Sequence, residues 1–155
     1  MIFKILFLLL PLSLAADDFI QQFDGQKTVE GVLIKSADLK GKVILLDYWG
    51  MNCSPCVAAL PKLQKLHEKF SKTNSFYLIG SHVASGDKLK IAEFLKAKNY
   101  TFPSLRYFHL KDKKGLIRCR SLPMLILIDK KGQVVETGPY IKDLEQKIES
   151  LIKAP

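Results

Sequence analysis

Seven residues restrict the folds open to this chain: Val43-Ile44-Leu45-Leu46-Asp47-Tyr48-Trp49, β-branched, aliphatic or aromatic apart from one acid, followed after Gly50-Met51-Asn52 by Cys53-Ser54-Pro55-Cys56. The first run reads as a core strand. Beyond it Val57, Leu60, Leu63, Leu66 and Phe70 recur at steps of three and four, which predicts a helix over residues 54–71. Strand, two-cysteine turn and helix therefore follow one another directly. Cys53 falls at the helix N-terminus, where unpaired N–H groups and the positive end of the macrodipole favour an anion. That placement favours its thiolate and makes it a candidate reactive group.

The remaining cysteine is Cys119, and three cysteines are few for a chain that uses disulfides as staples. Closing the short loop between Cys53 and Cys56 removes little chain entropy, so a redox pair is the better reading. A structural zinc site needs a second ligand pair, and His67, His82, His109 and Cys119 offer no paired spacing. No metal and no cofactor are expected. Residues 1–15 carry Lys4, an apolar run and the small-residue ending Ser13-Leu14-Ala15, the pattern of an export signal peptide. Its apolar stretch is short for a transmembrane span, although an uncleaved leader would anchor the chain. Residues 16–155 are one domain's worth. The chain is basic, with a formal charge of +9. Its lysines are scattered over predicted helix faces, and an export signal argues against a nucleic-acid partner. The one basic cluster, Lys111, Lys113, Lys114, Arg118 and Arg120, reads as a solvated loop.

Along the rest of the chain, residues 28–34 read as a strand, 36–42 as a turn and 75–81 as a second core strand. A helix is predicted over 87–98 with Leu89, Ile91, Phe94 and Leu95 as its apolar side. Residues 99–122 are poorly patterned and are expected to contain a short strand. Residues 124–128 and 133–137 form a β-hairpin around Asp129-Lys130-Lys131-Gly132, and 141–153 a final helix with Leu144, Ile148, Leu151 and Ile152 as its stripe. Alternating strands and helices predict an α/β domain with parallel pairing and helices packed on the sheet.

Over residues 31–151 the chain resembles the thioredoxin superfamily, and in detail the exported thiol-disulfide oxidoreductases of the TlpA, ResA and cytochrome c maturation type. The resemblance is carried by Leu39-Lys40-Gly41-Lys42 and the strand leading to Trp49, by Pro61, by Leu122-Pro123 at a strand entry, and by Ile128-Asp129 with Gly132. Phe94-Leu95 with Thr101-Phe102-Pro103 resembles the segment that this subgroup inserts into the plain fold. The resemblance implies a thioredoxin-like fold, a central mixed sheet flanked by helices. It makes Cys53 the attacking and Cys56 the resolving thiol of a redox-active disulfide. Asp47 matches a buried aspartate that takes the proton of the second cysteine, and an acid in such a strand is costly unless it has a task. Pro123 matches a cis-proline that faces the cysteines and offers substrate a backbone edge, with Leu122 beside it. Trp49 either shields the site or packs the core, and Pro61 kinks the helix. Two positions depart from the pattern, Asn52 before Cys53 and Ala59 in place of a glutamate three residues after Cys56. Cys119 is expected to be a buried, inert thiol.

These features lead to an exported, periplasmic or secreted, thiol-disulfide oxidoreductase acting on protein thiols and disulfides by exchange through a mixed disulfide. The resemblance suggests a reductant fed by a membrane electron donor, with apocytochrome c as a substrate. The alternatives are an oxidising exchange protein and a non-catalytic copper chaperone on the same fold, for which His82 or His109 would have to serve as the distant ligand.

Overall fold

β1 (Val43–Trp49) is buried at all seven positions. Such a strand needs a neighbour on each edge and cover on each face. The computed structural model, which describes residues 19–113, 115–117 and 119–155, provides both. The expected leader at residues 1–15 lies outside the described residues. On one edge β1 pairs in parallel with β2 (Phe76–His82), from Val43 opposite Phe76 to Trp49 opposite His82. On the other it runs antiparallel to β4 (Met124–Ile128), with Tyr48 opposite Met124. β3 (Ser104–Arg106) and β5 (Val134–Gly138) complete a mixed sheet of order β3-β2-β1-β4-β5.

Alternation along β1 divides the core in two. Val43, Leu45 and Trp49 join Cys56, Leu60, Leu63, Leu66 and Phe70 of α2 (Ser54–Phe70), Ile91 and Leu95 of α3 (Lys88–Ala97), and Leu144 and Ile148 of α4 (Leu144–Lys153). Ile44, Leu46 and Tyr48 face the opposite side, against a 3-10 helix over Phe19–Phe23, Leu39 of α1 (Ser36–Leu39), and Phe108 and Leu110. Each such large apolar side chain contributes roughly 1.5–3 kcal/mol by leaving water. α2 continues through Pro61, which lies inside the helix without ending it.

Three sequence expectations need correction. Residues 28–34 are not a strand but a tight reversal with one antiparallel bridge, Lys27 to Leu33. Gly31 adopts φ +87°, which glycine takes at no steric cost, and its N–H donates to the Thr28 carbonyl at 2.9 Å. Residues 36–42 are more than a turn, since α1 occupies their first half. Leu89, assigned to the apolar side of its helix, is 72% exposed, because only Ile91 and Leu95 of α3 are fully buried against the sheet.

Candidate active site

Three separated stretches meet at one end of the sheet. β1 and β2 are parallel, so their C-terminal ends, Trp49 and His82, lie side by side; β4 is antiparallel to β1, so its first residue comes beside Tyr48. The cysteine turn leaves β1 at this end. The segment Leu122-Pro123 enters β4 at the same end, with a cis peptide bond between the two residues. A Cβ placed on Gly50 would lie 2.8 Å from Ala84 Cβ, 3.7 Å from Leu122 Cδ1 and 3.9 Å from Cys53 Cβ, so only glycine lets the three stretches close up here.

Cys53 N–H donates to the Gly50 carbonyl at 3.1 Å, closing a turn over Met51 and Asn52. Cys53 is then the N-cap of α2, in an extended conformation, and its sulfur accepts the Cys56 N–H at 3.3 Å. The sulfur thereby satisfies one of the helix's orphan donors, in the place where a serine or aspartate oxygen caps other helices. Cys53 and Cys56 are joined as a disulfide with their Cα atoms 5.2 Å apart. The two differ in access: Cys53 is half-buried and Cys56 is 0% exposed.

Asp47 is on the α2 side of β1 and 1% exposed, and its Oδ1 has no hydrogen-bond partner among the described residues. Burial, which penalises the charged form, pushes its carboxyl up to about 7. It lines a cavity of about 80 Å³ together with Ala59, Pro123 and Leu125, and Lys62 and Tyr140 form its exposed mouth. Ala59 is three residues on from Cys56, so this wall of α2 is continuous with the buried cysteine. Where the family pattern puts a glutamate on the helix, the small alanine leaves room beside a carboxyl supplied by the strand.

The other candidates separate in space. Leu122 and Pro123 are half-buried and flank the cysteine turn. Trp49 has no exposed surface, and its Nε1–H donates to Ser104 Oγ at 3.2 Å, so it packs beneath the site and cannot meet substrate in this conformation. Cys119 is exposed, not buried as expected, because it and its neighbours Arg120 and Ser121 lie on the surface. Its Sγ donates to the Ser121 carbonyl at 3.6 Å, and partial desolvation pushes its thiol up. Among the described residues no cluster of three or more histidine, cysteine or acidic side chains could hold a metal ion. Sequence reasoning misses His82, which enters there only as a poor metal ligand. It is fully buried and its Nε2 accepts the Met51 N–H at 3.1 Å. The signal is its place at the end of the second core strand, but only the β1–β2 register brings that end to the turn.

A thioredoxin-like family model matches residues 41–134. The thiol-disulfide oxidoreductase ResA of Bacillus thuringiensis subsp. konkukian is 31% identical over 129 residues, covering 81% of this chain and 70% of the relative. Two solved structures from Corynebacterium glutamicum share the fold. A thiol-disulfide isomerase superposes with TM-score 0.72 at 22% identity, over 86% of this chain and 95% of that one. A secreted thiol-disulfide isomerase gives 0.67 at 20% identity, over 83% of each. The chain belongs to the thioredoxin-like family and, within it, is a thiol-disulfide oxidoreductase of the ResA type with Cys53 and Cys56 as its Cys-X-X-Cys pair; protein thiols and disulfides are the substrates such a pair exchanges with.

Proposed function

We propose that this protein is an exported reductant in which Cys53 attacks a substrate disulfide and Cys56 resolves the product. The observation that carries the assignment of the two cysteines is their asymmetry: the Cys53 sulfur caps α2 in a half-buried residue, while Cys56 is 0% exposed. The Cys53 thiolate attacks one sulfur of the substrate disulfide, forms a mixed disulfide and expels the other sulfur as a thiolate, which takes a proton from water. Cys56 passes its thiol proton to the Asp47 carboxylate and attacks Cys53 Sγ. The second substrate sulfur leaves, and the protein is left with the Cys53–Cys56 disulfide seen here. A carboxyl held at about 7 can take and return that proton near neutrality. Leu122 and Pro123, beside the turn, form the edge against which a substrate backbone lies.

Regeneration needs two electrons and two protons from a donor, and for an exported chain that donor is a membrane protein. The export reading rests on the leader pattern of residues 1–15. A Cys-X-X-Cys-His segment of apocytochrome c, oxidised to its disulfide, is the substrate that the family resemblance suggests. Trapping tests the assignment. With Cys56→Ser, incubation with an oxidised Cys-X-X-Cys-His peptide is expected to accumulate a mixed disulfide mapped by mass spectrometry to Cys53. An adduct on Cys119 alone, or none, would contradict it.

A further inference from the structure

His82 takes no part in the exchange steps, yet it is the side chain on which the turn before Cys53 rests. Its ring is fully buried and stands edge-on to Trp49, with centroids 4.9 Å apart. A Cβ on Gly86 would come within 3.0 Å of His82 Cε1 and 3.4 Å of Met51 Cε, so glycine here lets the backbone close directly over the ring edge. Gly86 is itself fixed, its carbonyl accepting from Arg106 Nε at 2.7 Å. From this confined position Nε2 accepts the Met51 N–H at 3.1 Å. Nδ1 has no hydrogen-bond partner among the described residues.

The turn over Met51 and Asn52 therefore has two fasteners, Cys53 N–H on the Gly50 carbonyl and Met51 N–H on His82. Only the second ties it to the neighbouring strand. An accepting Nε2 fixes the tautomer: the ring is neutral and its single proton is on Nδ1. Protonating Nε2 would set two N–H groups against each other and break the hydrogen bond. The charged group that acts on the ring is Arg106 of β3, opposite it in register; Asp47 is on the same face of β1 but lines the cavity with Pro123 and Leu125, and Asp87 is next to Gly86 in the chain. Burial holds the histidine below its ordinary range, outweighing the backbone of Ala84 and of His82 itself, which favours the protonated ring. The Arg106 charge adds a smaller push in the same direction as burial, so the neutral form persists near neutral pH.

We propose that His82 is a positioning residue for Cys53: its Nε2 lone pair holds the 50–53 turn and so keeps the Cys53 sulfur on the Cys56 N–H at the head of α2. This rests on Cys53 being the attacking thiol. Without the hydrogen bond from Met51 to His82, the sulfur spends less time over the helix terminus and its thiolate is less stabilised there.

The test uses the reduced full-length protein with Cys119→Ser, so that alkylation reports the active-site pair, and compares His82→Leu with His82→Gln, whose amide oxygen reaches the place of Nε2. Iodoacetamide alkylation of Cys53 at pH 7 is expected to slow roughly five-fold in the leucine variant, about what one hydrogen bond supplies, with the pH profile of the rate moved upward. The glutamine variant is expected to restore both. A leucine variant with the unsubstituted profile and reduction potential, or a glutamine variant no better than leucine, would overturn the proposal. If the leucine variant does not fold, nitrogen NMR of the unsubstituted protein decides. His82 must be neutral, protonated on Nδ1, with Nε2 coupled to the Met51 amide; a proton on Nε2 would overturn it. If Cys53 of the unsubstituted protein is no faster than an ordinary thiol, the reading of Cys53 fails instead, and the NMR result still decides whether His82 holds the turn.

Discussion

Asp47 costs the fold stability whenever it is ionised. Its carboxyl gives up its proton near pH 7 in the folded protein, against a usual value of 3.8. Between those two values the folded state keeps a proton that the unfolded state has released. Stability from this group is therefore full below about pH 4 and is lost as pH rises through about 7, a total of roughly 4 kcal/mol by linkage. Asp47→Asn in the oxidised protein is expected to be more stable than the unsubstituted protein at pH 8, by a margin that shrinks toward zero as pH falls to 4. Urea unfolding at several pH values measures this, and a difference independent of pH would contradict it. Exchange activity should move the opposite way, with asparagine slowing resolution of the mixed disulfide because the Cys56 proton then has no acceptor. The cavity beside Ala59 allows a further check. Ala59→Glu would add a second carboxyl facing Asp47 and is expected to raise the Asp47 titration further, followed by carbon NMR of the carboxyl. No rise would mean the new side chain turns out to solvent.

At the scale of elements, α2 carries the site and α4 braces it, by contacts of unequal worth. Lys69 of α2 reaches Glu145 and Glu149 of α4 at 2.6 Å each, but with about half of its side chain exposed. Ile148 of α4 is 0% exposed in the core shared with α2. Lys69→Met is expected to change stability little, and less still in high salt, whereas Ile148→Ala should cost about 2–5 kcal/mol. Equal losses in urea unfolding would contradict this ranking. The same contrast explains which elements are legible in the sequence. β1, α2 and β4 are readable because dense apolar composition or a clear period of three to four sets them locally. Residues 28–34 have strand-like composition, but Glu30-Gly31 allows the chain to double back, and Val29 N–H is taken by the Ser104 carbonyl at 2.8 Å. β3 is three residues long and exists because β2 offers it an edge, a cause that lies elsewhere in the chain.

The whole molecule gathers its chemistry at one end of the sheet, and this is only partly legible in the sequence. Cys53, Cys56, Asp47 and Pro123 can be found there because residue type and a family resemblance mark them. His82 cannot, because its role exists only through the register that sets it opposite Trp49, and the exposure of Cys119 depends on how the chain around it, including Arg120 and Ser121, is laid on the surface. What the assembled site does is set by the free energy of its disulfide, which integrates the helix terminus, the sealed Cys56, the carboxyl at Asp47 and the hydrogen bond to His82. The deciding measurement is the reduction potential of the Cys53–Cys56 couple equilibrated against glutathione, with Cys53→Ser as control and Cys119→Ser alongside. A reductant of this design should show a reversible two-electron couple, dependent on Cys53, near or below about −220 mV. A value near about −120 mV would make the protein an oxidant and contradict the proposed direction, and the absence of any Cys53-dependent couple would contradict the exchange mechanism itself.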